Sequence, residues 1–246
     1  LIKNENNLQR VIKPKISLKF SPSHTKDLSN EDNRIDVNNI FDLNRLSSND
    51  TLEGGASITY GSDYTISNID NLREIFSLKL ANNLRLDKND DLQRNNQLGS
   101  KTSNFFGEIS YSPISSLKTK YNLSTKNNLS DINYQNLTAE ISINNFVTTF
   151  DYLNENNSQN TSYLLNKTTY NFNDKNNLSF AVRENKKTSL TEYYNLIYEY
   201  KNDCLAATIE YNKEYYSDRD IKPEESIFFR ITLIPFGETS TPNLRK

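Results

Sequence analysis

Few residues in this chain are of a type that does chemistry, and their spacing decides what each could do. The chain holds one histidine, His24, and one cysteine, Cys204. A hydrolytic triad needs a base beside a nucleophile and an orienting carboxylate. No Ser or acid stands in such a context here, so His24 reads as a solvated loop residue. The run Asp87-Lys88-Asn89-Asp90-Asp91 begins like a calcium loop. Its sixth position is Leu92 where such a loop needs Gly, and its twelfth is Leu98 where it needs Glu, so the pattern fails. Loose binding of divalent ions at acidic loops such as Glu31-Asp32 is what then remains of metal chemistry. Arg45, Asp50 and Glu53 crowd one polar stretch, with Arg45 placed to pair with either carboxylate. From these residues we expect no enzyme, no cofactor and no metal centre.

The elements that must position these residues are unusual. The chain has 246 residues, of which 35% are hydrophobic, yet it carries 15 Tyr and 12 Phe. So little apolar content hints at disorder, whereas disordered chains are poor in aromatics. Basic and acidic residues number 29 and 31 and are interspersed. There is no basic stripe, so no nucleic-acid partner is expected. Asn is abundant because it tolerates left-handed backbone and caps turns; triplets such as Asn122-Leu123-Ser124 follow from that abundance. No run of 18 apolar residues offers a transmembrane helix. The chain contains no Met, and we read it as a fragment of something longer.

Period-two alternation recurs along the chain while helical periodicity is nearly missing. Ala56, Ile58, Tyr60, Tyr64 and Ile66 share one parity, with Ser57, Thr59, Gly61, Asp63 and Thr65 on the other. About twelve such runs occur, at roughly 9–20, 54–67, 72–86, 102–112, 115–126, 131–143, 145–154, 161–173, 176–186, 190–201, 204–216 and 226–236. Most reach about 10 residues, the length a tilted strand needs to cross a bilayer and longer than the usual 5–6. Short links near 68–71, 113–114, 144, 174–175 and 202–203 alternate with longer ones, the longest at 21–53 and 87–101. That is the rhythm of short periplasmic turns and longer extracellular loops. The fold class is therefore all-β, an antiparallel transmembrane β-barrel whose lipid face needs only every second residue to be apolar. In 161–173 Tyr163 and Leu165 lie on one parity and Tyr170 and Phe172 on the other, which predicts a bulge. Cys204 follows a short turn on the oxidising side, as either a small buried residue or half of a bridge.

At 39–55 the chain resembles a known family. Asn39, Phe41, Asn44-Arg45, Ser47, Asp50 and Glu53-Gly54-Gly55 are similar to a signature segment of the LptD (OstA) family, which assembles lipopolysaccharide in the outer membrane. "VIKPKISLKFSP" (11–22), "TSNFFGEISYSP" (102–113), "YEYKNDCLAATIEYNKEYY" (198–216) and "SIFFRITLIPFG" (226–237) resemble further strands of that family, in order. Thr51 stands where the family has Arg, and Lys13 where it has Glu. The resemblance implies that residues 1–246 are the C-terminal segment of the barrel, with a periplasmic domain and early strands before it. It implies integral outer-membrane location and pairing of Cys204 with a Cys of the N-terminal domain. The implied partners are lipopolysaccharide, an LptE-like plug lipoprotein, an LptA-like periplasmic bridge and the barrel-assembly machinery. It also implies a barrel that opens sideways, with the strand bearing Phe229, Ile231, Leu233 and Pro235 at one edge of the seam. Pro235 would remove a ladder donor there or simply end the strand.

The polar parity carries Lys79, Glu108, Lys118, Lys120, Glu140, Arg183, Glu199, Glu210 and Arg230. Mixed signs predict mutual pairing in the lumen, or contact with a plug or passing headgroups. A porin-like passive channel and a soluble all-β adhesin are the competing readings. The first would conduct ions, and the second would bury its apolar parity between sheets.

Overall fold

The computed structural model describes residues 1–22, 25–31, 33–46, 50–127, 129, 131–156, 160–215, 224–234, 237–240 and 244–245. These contain fifteen strands and no α-helix. Strand order follows chain order in one sheet, with the last short strand returning to the thirteenth. All twelve expected runs are strands, and the all-β antiparallel class is observed. The alternating link lengths also hold. The chain divides into two compact units.

In the first unit lie β1 (Ile2–Glu5), β2 (Leu8–Ser21), β3 (Gly55–Asn68), β4 (Glu74–Arg85) and β5 (Phe105–Ile114). β1 was not legible as a run; it pairs with β2 through a two-residue turn in which Asn6 and Asn7 take positive φ. That left-handed pair is the geometry hairpins favour, and Asn is among the residues that accept it. Two faces result. One face is bare: Ile16, Leu18 and Phe20 are 73%, 75% and 80% exposed. Leu18, Ile58 and Leu84 form one cross-strand row on it. Against the other face folds the long link after β2. Its Ile35, Val37 and Ile40 are buried with Ala81 and Phe106 from the strands, and Leu28 and Leu46 are buried with Leu92 and Leu98 from the link after β4. Leu28 N–H donates to the Asp91 carbonyl at 2.7 Å, tying the two links together. The apolar core thus sits under the loops, on the sheet's polar side.

β6 (Leu117–Thr125), β7 (Ile132–Ile143), β8 (Phe146–Glu155) and, by its first residue, β9 (Thr161–Asn173) contribute residues to both units, and the second holds β10 (Asn176–Asn185), β11 (Leu190–Lys201), β12 (Leu205–Glu214), β13 (Glu225–Leu233), β14 (Gly237–Ser240) and β15 (Leu244–Arg245). Rows such as Tyr198, Ile209 and Phe229 repeat the bare apolar face. The bulge expected within 161–173 lies near its end: Asn176 faces Asn173 while Asn177 faces Asn171, so Phe172 of β9 is the extra residue. β9 keeps register against β10 from Tyr163 to Asn171, and the irregularity falls at the turn end, between Asn176 and Asn177. Tyr163 and Leu165 stay on the polar face, where the Arg183 guanidinium covers the Tyr163 ring at 4.1 Å. A cation over its π-face makes that polar position acceptable to an aromatic ring.

Candidate functional site

The polar stretch before β3 closes into a knot around Glu53. Arg45 donates from Nε to Glu53 Oε2 at 2.6 Å and from Nη2 to Oε1 at 2.7 Å, a bidentate pair. Its remaining donors reach the Ile40 carbonyl, Thr59 Oγ1 and Ser57 Oγ. Arg85, the last residue of β4, donates to Glu53 Oε1 at 2.5 Å and to the Gly54 carbonyl. Lys19 of β2 adds a third cation at 3.0 Å. The side chains of Arg45, Arg85 and Glu53 are each about 1% exposed. Burial pushes the Glu53 carboxyl up, but hydrogen bonds and charge from Arg45, then Lys19, outweigh it and hold it at about 2. A carboxylate so enclosed stays ionised and meets no substrate. The knot joins β2, β3, β4 and the loop.

Of the two carboxylates open to Arg45, Glu53 is therefore the partner. Asp50 instead takes Lys26 at 2.9 Å, both largely exposed. Ser47 lies outside the described residues, and the other described residues of the signature are equally architectural. Asn39 Oδ1 accepts from Asp36 N–H, and Asn44 Oδ1 accepts from Leu46 N–H. The Phe41 ring lies over Gly61, where an added Cβ would stand 3.0 Å from Cζ. Gly54 N–H donates to Thr25 Oγ1. Gly55 has φ +92°, and a Cβ there would meet Arg85 Nη2 at 2.8 Å. Asn89 and Asp91, which opened the imitation calcium loop, serve as turn and loop acceptors. Among the described residues no three of His, Cys, Asp and Glu gather as metal ligands. His24 and Asp32 lie outside the described residues.

Below the loop core a charge row crosses the polar face. Lys13 faces Asp63, Asp63 faces Lys79, and Lys79 faces Glu108 in successive strand registers. Lys79 and Lys120 bridge Glu108 at 2.8 and 2.9 Å, and Lys15 bridges Asp63 at 2.6 Å. Lys118, two positions from Lys120, shares its face. The alternation of sign is what cross-strand pairing rewards. Asn38 of the loop touches both Lys79 and Glu108.

In the second unit the polar face relies on amides as well as ions. Glu199 accepts from Asn177 at 3.2 Å and Glu210 from Asn195 at 2.5 Å. Arg183 pairs with Glu192 at 2.6 Å, and the exposed Arg230 lies over the Phe228 ring at 5.4 Å. Phe229, Ile231 and Leu233 line the bare face opposite Ile209, Ala207 and Leu205; Pro235 lies outside the described residues. β13 pairs with β12 over nine residues, and its other edge carries four pairs to β14 and two to β15. Cys204 is exposed in the turn before β12, its N–H donating to Asn202 Oδ1. It is thus not the small buried residue that was one of its two readings.

Sequence reasoning named Lys79, Glu108 and Lys120 as pairing charges, but missed Lys19 and Arg85 as members of the knot and missed Lys13, Lys15 and Asp63 of the row. The knot left no local signal, since its cations come from strands on either side of the loop. The row was recoverable, because Asp63 and Lys79 stand equally far from the turn between them.

No curated protein matches the chain. The family model for LptD, described as LPS transport system D, matches residues 2–175, a span holding the knot and the charge row but ending before Cys204 and β13. With more than two thirds of its length matched, the chain belongs to the LptD family, a component of lipopolysaccharide transport.

Proposed function

We propose that this chain is the C-terminal segment of an outer-membrane β-barrel that inserts lipopolysaccharide into the outer leaflet by opening sideways. The observation that carries the reading, beside the family, is the sheet's inverted polarity. Large apolar side chains cover the bare face, while charges and loops occupy the other. A soluble sheet buries the first and solvates the second. A barrel in lipid does the reverse, because only a closed sheet satisfies its backbone in hydrocarbon.

This reading takes β13 as one edge of the seam. Among the described residues its side toward β14 and β15 is held by two short strands, over four and two pairs, where its side toward β12 is held by one strand over nine, and a less continuous edge is the easier to open. Phe229, Ile231 and Leu233 would present apolar side chains to an emerging acyl chain. Cys204, exposed at the short-turn end, would bridge to the periplasmic domain. The plug lipoprotein, the periplasmic bridge and the assembly machinery are the partners this reading needs. Lys118, Lys120, Glu199, Glu210 and Arg230 would line the lumen.

A test joins a cysteine at Ile231 to one on the strand that closes onto it in the full-length protein. Oxidation should stop lipopolysaccharide transport, and reductant should restore it. Undiminished transport in the cross-linked protein refutes sideways opening. Steady ion conductance without lipid transport would favour a passive channel.

A further inference from the structure

The charge row is not neutral, and its carboxylates sit beneath its cations. Glu108 is 2% exposed, whereas the ammonium-bearing side chains bridged to it, Lys79 and Lys120, are 29% and 47% exposed. Asp63 is 18% exposed beneath Lys15 at 40%. Lys13, exposed at the end of the row, enters no ion pair among the described residues. Four ammonium groups therefore stand over two recessed carboxylates. Lys79 spends a second donor on Asn38 Oδ1 at 3.3 Å and Lys15 lies over the Phe41 ring at 5.6 Å, but each ammonium has three N–H donors, so at least one is left on each. The carboxylates hold the lysines upright, and the surface offered to a visitor is cationic.

We propose that Lys13, Lys15, Lys79 and Lys120 form a binding step for the phosphate groups of a lipid headgroup. The reasoning rests on the transport reading above, which brings a phosphorylated glycolipid past this face. Phosphate suits the row better than carboxylate. It carries more charge, and its oxygens can accept from two neighbouring lysines at once. Because the carboxylates remain as competing partners, binding at the step is weak enough for the headgroup to move on.

The test uses the full-length protein in neutral detergent and three probes: diphosphoryl lipid A, the same lipid with both phosphates removed, and inorganic phosphate. Wild type should prefer the phosphorylated lipid, with affinity falling as salt rises. Lys13→Gln, which breaks no ion pair, should weaken that binding about fivefold, and Lys13→Arg should restore it. The doubly substituted Lys13→Gln, Lys15→Gln protein should lose most of the preference for phosphate. Binding of the dephosphorylated lipid should be unchanged throughout. Equal binding of both lipids by wild type, or lysine variants that match wild type on all probes, overturns the step. Inorganic phosphate bound as tightly as the lipid overturns the lipid source. Transport into proteoliposomes is read in the same preparations. Wild type that transports while the variants bind normally sinks only this step; wild type that does not transport sinks the reading beneath it.

Discussion

Replacing Glu53 by Gln should release the loop while leaving most of the sheet intact. The side chain keeps its shape and one acceptor oxygen but loses the charge that three cations share. Arg45 and Arg85 are about 1% exposed and have no water to turn to. Breaking a buried pair by neutralising one partner costs about 3–5 kcal/mol. The depressed Glu53 carboxyl points to a cost of the same order. Its fall from 4.5 to about 2 corresponds to roughly 3 kcal/mol at about 1.4 kcal/mol per pH unit. Because the folded value lies below the unfolded one, this stabilisation is complete above about pH 4.5 and fades as pH falls toward 2. The cost should appear locally, since the knot anchors the long link while strand pairing is separate. Hydrogen exchange reads it directly: Gly54 N–H, bonded to Thr25 Oγ1, and Leu28 N–H, bonded to Asp91, should lose about two orders of magnitude of protection. Amides at the centre of β3 and β4 should change far less. Wild-type protein taken to pH 3 should show part of the same loss. Protection at Gly54 and Leu28 within twofold of wild type in the Gln variant would refute the assignment of the loop's stability to this knot.

Gly55→Ala should destabilise the start of β3 by about 1–2 kcal/mol through its positive φ alone, with further loss from the clash with Arg85, read as a lowered denaturation midpoint. Ile40→Ala empties a position 1% exposed in the loop core; a cost of about 2–5 kcal/mol should make the link between β2 and β3 cleavable by protease before the strands are. Leu18→Arg places a charge on the bare face and should cost about 2–4 kcal/mol if that position lies at mid-bilayer. Ser17→Arg, on the polar face, serves as the control. Folded full-length barrel recovered from membranes, resolved by heat-modifiable mobility, should fall for Leu18→Arg alone; equal recovery of the two variants would place Leu18 in water.

The strands were legible because the physics that sets them is local. Parity at Ile58, Tyr60, Phe76 and Leu78 follows from a side-chain period of two and survives any tertiary context. The hairpin at Asn6-Asn7 escaped notice because a four-residue strand carries too few alternations to count. The signature loop was recognisable by residue type, yet its geometry was not. Spacing offered Arg45 either Asp50 or Glu53, and Lys19 and Arg85 enter only after two strand registers bring them to the same point. The bulge assigned to 161–173 is present at Phe172, but it does not account for the change of parity, since Tyr163 to Asn171 keep one register. Parity rules treat an aromatic as outward-facing, and the Arg183 cation that lets Tyr163 sit on the polar face belongs to the next strand.

The abundance of asparagine reads differently once the faces are known. Its turn-forming use is present at Asn6, Asn7, Asn144 and Asn160, all at positive φ. On the polar face of the second unit it does something else. Asn177 and Asn195 donate to Glu199 and Glu210, places where cations would also pair with those carboxylates, and Asn185 donates to Glu192 beside the Arg183 ion pair. An amide satisfies a carboxylate without cancelling its charge. The first unit instead sets lysines against its carboxylates and leaves a cationic excess along the row from Lys13 to Lys120. A sheet needing apolar residues on one parity only is free to choose between these two pairings on the other. The row from Lys13 to Lys120 takes the ionic choice, and Glu199 and Glu210 take the amide one.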